Sequence, residues 1–151
     1  MTNIDKYDLT DFTPYLLNVA AEATSVAFQV HYKSRYGMLR TEWRVMFHLG
    51  QYGPMLARDI CTRARIHKTK VSRAVAALEK KRFLQRQEDD EDRRQERLTL
   101  TKSGAAVFRD LRQAAWSFEQ NLMSEFSDTE REVLKSCLTR MAGLPHPADK
   151  A

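Results

Sequence analysis

The segment from Met55 to Thr101 constrains the fold most, because its apolar spacing changes period within a few residues. Leu56, Ala57, Ile60, Cys61 and Ala64 recur at helical intervals, and after a short turn Val71, Val75 and Leu78 repeat at i, i+4 and i+7. Two short helices this close together predict a helix-turn-helix. Arg82–Gln87 and Glu96–Thr101 have the composition of strands and flank the polar stretch Glu88–Gln95, as the arms of a hairpin flank its tip. Helix, turn, helix, strand, charged tip and return strand together predict a winged helix-turn-helix unit over residues 41–101.

Long helical patterns lie on both sides of that unit. Thr13 followed by Pro14 reads as a cap with proline at the first helical position, leading through Tyr15, Leu16, Val19, Ala23, Ala27 and Val30 to about Tyr36, where Gly37 stops the helix. A shorter helix is expected from Thr41 as cap to the Tyr52-Gly53-Pro54 break. Thr101-Lys102-Ser103-Gly104 opens a pattern whose stripe runs Val107, Phe108, Leu111, Ala115, Phe118 and Leu122, broad enough to need a partner surface. Ser127-Asp128-Thr129-Glu130 is a capping box that starts a last helix through Val133, Leu134, Leu138 and Met141. Residues 1–151 therefore read as one mainly α domain with a small β-hairpin wing, with residues 1–8 and 145–151 expected to be loosely held.

Several classes are set aside by what is missing from the sequence. Its longest apolar stretches, such as Tyr15–Ala21, are too short to cross a bilayer, and Met1-Thr2-Asn3-Ile4-Asp5 does not begin a signal sequence, so a cytoplasmic chain without a membrane partner is expected. The two cysteines, Cys61 and Cys137, lie far apart and read as small buried apolar residues. His31, His48, His67 and His146 have no ligand spacing, so no metal and no cofactor are expected. No Gly-rich phosphate loop, GxSxG elbow or HExxH stands in the chain, and it is not expected to be an enzyme.

Charge supplies the positive signal. The chain is net +5, but residues 57–86 hold ten basic residues against two acidic ones, a balance of +8 that leaves the remainder at −3. With Val71, Val75 and Leu78 turned inward, Lys68, Thr69, Ser72 and Arg73 face outward near the start of the second helix of the pair, and the small Ala76 follows one turn later. In a helix-turn-helix that helix enters the major groove of duplex DNA. Arg73 is the residue placed to read a guanine edge, while Arg65, Lys68 and Lys70 suit phosphates. The competing reading is a helical protein-interaction module whose basic face meets acidic partners. It gives no role to the adjacent Arg93 and Arg94 at the hairpin tip.

From about Tyr15 to Met141 the sequence resembles the MarR family of bacterial transcriptional regulators. The residues that carry the resemblance are Glu42-Trp43-Arg44-Val45-Met46, the run from Ile60 to Arg73, Leu78-Glu79-Lys80-Lys81, Phe83-Leu84-Gln85-Arg86, and above all Asp89-Asp90-Glu91-Asp92-Arg93-Arg94 followed by Leu98-Thr99-Leu100-Thr101-Lys102-Ser103-Gly104. The resemblance implies that Arg94 enters the minor groove, oriented by Asp92 and helped by Arg93. It also implies a homodimer built from residues 10–36 and 102–142, with reading helices about 34 Å apart on a pseudo-palindromic site. Two departures from the family pattern stand at Arg65 and Arg82, where glycine is usual and the turn calls for positive φ. The five acids Glu88–Asp92 are a third oddity, and most of them are expected to face solvent.

The same resemblance implies a repressor released by a small aromatic or phenolic acid, or its thioester, held between the dimer helices and the winged unit. Residues expected to line that junction are Phe28, His31, Tyr32 and Arg35 of the first helix, Trp43, Arg44 and Phe47 of the second, and Arg112 and Trp116 of the fifth. Oxidant-sensing members of the family carry a cysteine near the start of the first helix, where this chain has none; Cys61 stands where alanine is usual and is expected to pack.

Overall fold

A computed structural model describes residues 4–145. Its regular elements are α1 (Thr13–Tyr36), α2 (Arg40–Tyr52), β1 (Met55–Leu56), α3 (Ala57–Ala64), α4 (Lys68–Lys80), β2 (Leu84–Glu88), β3 (Glu96–Leu100), α5 (Lys102–Met123) and α6 (Asp128–Ala142), with short 3-10 turns at Ile4–Lys6 and Leu9–Asp11. The chain divides into two compact units, one through Ala114 and one from Ala115 onward. The division falls inside α5.

In the first unit, α2, α3, α4 and the hairpin enclose one apolar core. Val45, Met46, Ile60, Val71, Val75, Leu78, Leu84, Leu98 and Leu111 are almost wholly removed from water. Each such large aliphatic side chain contributes about 1.5–3 kcal/mol by burial. Two glycines mark where backbone must approach closely: a Cβ on Gly50 would meet the Phe108 ring at 2.4 Å, and one on Gly104 would meet the Phe83 carbonyl oxygen at 1.9 Å. Gly50 thereby lets α2 lie against α5, and Gly104 lets α5 start beside the strand entry.

The sheet holds one strand more than the sequence pattern suggests. Met55 and Leu56, read above as the start of a helix, form β1 and pair antiparallel with Leu98 and Arg97 of β3, giving the order β1-β3-β2. Two residues carry no periodicity, so only the arrival of β3 makes them a strand. The hairpin itself is in the register Leu84 with Leu100, Arg86 with Leu98 and Glu88 with Glu96.

Three boundaries move for local physical reasons. Thr13 is the first residue of α1, capped by Phe12 without a side-chain bond, so proline and not the threonine hydroxyl sets the start. In α2 the cap is Leu39, whose backbone N–H donates to Glu42 Oε2 at 3.0 Å, one residue pair ahead of the expected Thr41. Arg82 lies before β2 in a left-handed turn, and Thr101 caps α5: its hydroxyl donates to the Arg82 carbonyl at 2.7 Å and accepts the Gly104 N–H at 2.9 Å. That double bond gives a physical role to the threonine and glycine of Thr101-Lys102-Ser103-Gly104.

In the second unit the capping box of α6 forms as expected: the Ser127 side chain accepts the Glu130 N–H at 3.2 Å, and Glu130 accepts the Ser127 N–H at 3.1 Å. These bonds hold the Glu130 carboxyl below its ordinary pKa. Val133, Leu134, Leu138 and Met141 remain exposed along α6. A corresponding apolar row, Tyr15, Leu16, Val19, Val26 and Val30, is exposed along α1 of the first unit. The expectation for residues 1–3 and 146–151 lies outside the described residues, as does His146.

Candidate nucleic-acid interface

The pair α3 and α4 is joined by a turn whose corner is Arg65. Its φ of 53° and ψ of 49° end α3 in the left-handed conformation, and Ile66 then buries its side chain before His67 caps α4. Arg65 and Arg82, at φ 64°, are the non-glycine residues with positive φ among those described. Both expected departures thus occupy the strained conformation that glycine would adopt freely, at a cost of roughly 1–2 kcal/mol each.

The turn aims α4 outward as the spacing predicts. Val71, Ala74, Val75 and Leu78 are buried, while Lys68, Thr69, Lys70, Ser72, Arg73 and Ala76 are exposed. Lys68, Lys70 and Arg73 meet no carboxylate within ion-pair distance among the described residues. Lys68, Thr69, Ser72 and Arg73 border a cleft of about 510 Å³ with an apolar wall of Ala57, Cys61 and Val75. Cys61 is half-buried, unbridged and packed against the core, as expected of it; Cys137 is likewise half-buried and unbridged.

At the wing tip, Asp92 Oδ1 accepts both the Arg94 backbone N–H at 3.0 Å and its Nε–H at 3.3 Å. The carboxylate fixes the first part of the arginine side chain, yet the Arg94 side chain remains 92% exposed. Arg93 is exposed beside it. Of the five acids, Glu88, Asp90 and Glu91 face solvent as expected, but Asp89 does not. It is buried at 5% exposure and accepts the Arg97 Nε–H at 2.9 Å, while Arg97 Nη1 donates to the Pro54 carbonyl at 3.2 Å. Asp89 and Arg97 therefore tie the wing root to the turn before β1.

Glu42 is the other functional group that sequence reasoning missed. Almost wholly buried, its carboxylate accepts the Leu39 N–H and, at 2.8 Å, the Lys81 ammonium, which stands at the C-terminal cap of α4. One side chain thus joins the entry of α2 to the end of the reading helix. The signal was a charged residue on the inward face of α2, just before Trp43 and the buried Val45 and Met46, and its meaning depended on a lysine 39 positions away.

The residues expected at an effector junction fall into two groups. Phe28, His31, Tyr32, Trp43 and Phe47 form one ring cluster: Phe28 lies 5.1 Å from His31 and 5.5 Å from Trp43, Tyr32 stacks on Trp43 at 6.1 Å, and Phe47 is 5.3 Å from Trp43. Tyr32 is fully buried in it. The cations are engaged elsewhere: Arg35 pairs with Asp110 at 3.2 Å, and Arg44 Nη2 donates to the Ala64 carbonyl at 2.6 Å. Asp110 also accepts the Tyr36 hydroxyl, which lowers the carboxyl's pKa and raises the phenol's. Desolvation, then the nearby Arg40, lowers the pKa of Arg44. Arg112 is exposed, as is Trp116 in the second unit.

No group of histidines, cysteines or carboxylates suited to a metal ion occurs among the described residues, and no helix there is long and apolar enough to cross a membrane.

A buried helix pair presenting an unpaired basic helix, followed by a three-stranded wing with a carboxylate-held arginine at its tip, defines a winged helix-turn-helix DNA-binding protein. Residues 36–95, from the end of α1 to the wing tip, match the MarR family. The chain is 28% identical over 106 residues to the uncharacterized HTH-type transcriptional regulator YwoH of Bacillus subtilis, covering 70% of this chain and 76% of that protein. Among solved structures, its fold is shared with a MarR/EmrR family transcriptional regulator from Acinetobacter sp. ADP1 (TM-score 0.82, 23% identity, 91% of this chain and 96% of that one). Bordetella bronchiseptica BpsR, whose DNA binding is regulated by 6-hydroxynicotinic acid, also shares it (TM-score 0.82, 21% identity, 92% and 99%). The winged unit thus matches the model of the MarR family, and the chain as a whole is similar in sequence to HTH-type transcriptional regulators and in fold to MarR-type ones. That family is one of regulators and not of enzymes.

Proposed function

We propose that the chain acts as a homodimeric repressor on a pseudo-palindromic DNA site, with α4 in the major groove and the wing tip in the adjacent minor groove. The observation that carries this reading is the exposed, unpaired Lys68, Lys70 and Arg73 on α4 together with Arg94 held by Asp92 at the wing. Arg73 reads a base edge; Thr69 and Ser72 contact the groove beside it; Arg65, Lys68 and Lys70 meet phosphates; Arg93 and Arg94 enter the minor groove. The exposed apolar rows of α1 and α6 are the surfaces a second copy covers, since monomers seldom leave such faces to water.

The aromatic cluster of Phe28, His31, Tyr32, Trp43 and Phe47 suits the ring of a small aromatic acid or its thioester. The regulation of BpsR by an aromatic acid supports that class. Such a ligand acts only by binding more tightly to the arrangement of reading helices that does not fit DNA.

Fluorescence anisotropy on duplex from upstream of the protein's own gene, against scrambled duplex and across a salt series, tests the proposal. Tight, salt-steep, sequence-selective binding at two protomers per site is expected, weakened by aromatic acids. Equally weak binding to both duplexes, with no fragment enriched in a genome-wide selection, would overturn it.

A further inference from the structure

A second set of cations stands between the reading helix and the wing. The 510 Å³ cleft beside α4 and a second cleft of about 530 Å³ beneath Arg93 and Arg94 share Ala57, Arg58 and Arg86 on their walls. Arg58 is exposed in the first turn of α3. Arg86 pairs with buried Leu98 across the hairpin and shares its face with buried Leu84, so it lies on the core-side face of the hairpin, two residues beyond Leu84, where its side chain is exposed. Its guanidinium is held from two sides: Nε donates to Glu79 at 3.1 Å, from the last turn of α4, and Nη1 donates to Glu96 at 3.2 Å, from the start of β3.

Duplex geometry says what this partition faces. Major and minor grooves are separated by one sugar-phosphate strand, so a protein with a helix in one and a wing in the next lays the surface between them on backbone phosphates. We propose that Arg58 and Arg86 form a phosphate seat for that strand, and that Glu79 and Glu96 hold the seat at reduced affinity. The inference rests on the DNA-facing orientation set out above and assigns residues outside the reading helix and wing tip. Both carboxylates neutralise Arg86 before DNA arrives and themselves repel phosphate. An approaching strand therefore gains little from Arg86 unless its two ion pairs are loosened. Arg58 has no such partner among the described residues and contributes fully.

The test is anisotropy of the full chain on specific and scrambled duplex across a salt series, for Arg58→Ala, Arg86→Met and the double substitution Glu79→Gln with Glu96→Gln, each checked for an unchanged thermal midpoint. All four side chains are exposed enough that folding should survive. Arg58→Ala is expected to weaken both duplexes alike, by about tenfold, and to flatten the salt slope by about one. The double glutamine variant is expected to tighten both by about tenfold and steepen the slope by about one, and most of that gain should be lost when Arg86→Met is added, leaving only the relief of carboxylate repulsion. A gain undiminished by Arg86→Met overturns the bracketing role. An Arg58→Ala protein with wild-type affinity and slope overturns the seat. Failure of the underlying orientation looks different: Arg73→Ala and Arg94→Ala would then leave duplex binding unchanged, and the seat falls with it.

Discussion

On α4, Lys68, Lys70 and Arg73 stand without a carboxylate partner among the described residues, whereas in the hairpin Arg86, Arg94 and Arg97 are each held by one or two acids. The difference follows from what positions each element. Val71, Val75 and Leu78 lock the helix by burial on one face, so its outward side chains need no tether and can adjust to base edges. The wing is two short strands with a mostly solvated end, and its orientation depends on ion pairs at its root and tip. A basic residue on a packed helix can specify sequence. One on a thin hairpin must first be held still, and its holding acids lower the charge it offers DNA.

The largest test of that contrast is at the root of each element. Leu78→Ala is expected to cost about 2–5 kcal/mol of stability in chemical denaturation, because it opens a cavity beneath the reading helix. By contrast, Arg97→Met should loosen the hairpin while leaving α4 amides as protected from hydrogen exchange as before. Equal loss of protection in both would show that helix and wing open as one unit.

Arg73→Ala comes next, with about 1–3 kcal/mol lost on the preferred duplex and little change on scrambled sequence. Equal losses on both would remove its base-reading role. For Arg94→Ala the expectation is a salt slope flatter by about one with the major-groove preference retained; a changed preference at the helix-contacted bases would blur the distinction between the elements. Arg65→Gly should raise stability by roughly 0.5–1 kcal/mol, since glycine relieves the left-handed turn but is freer in the unfolded chain. Its DNA affinity should fall at the same time as one phosphate contact is lost. The smallest effect is expected for Asp92→Asn, whose exposed pair with Arg94 is worth about 0–1 kcal/mol in the free protein. Its influence should emerge instead as slower association with DNA.

The helices and the reading face were legible because each is written locally. A run such as Val71, Val75 and Leu78 declares which side of α4 is buried, whereas the left-handed corner at Arg65 was implied by the family resemblance, in which glycine is usual at that turn. The capping box at Ser127 and Glu130 is local in the same way. By contrast, β1 exists only because Leu98 and Arg97 come to lie beside Met55 and Leu56. The acid run shows the same limit within a few residues: Asp89 and Asp92 look alike in sequence, but hairpin register buries one against Arg97 and leaves the other at the tip with Arg94.

Sequence alone determined the order of the helices and the hairpin and the basic outward face of α4, because spacing and charge survive without knowledge of distant neighbours, and the MarR resemblance implied the Asp92 and Arg94 pair. Only the tertiary structure decided which charges are neutralised. Glu42 finds Lys81, Arg86 finds Glu79 and Glu96, and Arg35 finds Asp110 through packing and strand register. The strength of a charge toward DNA depends on its nearest opposite charge, and that distance is set where separate segments of the chain meet.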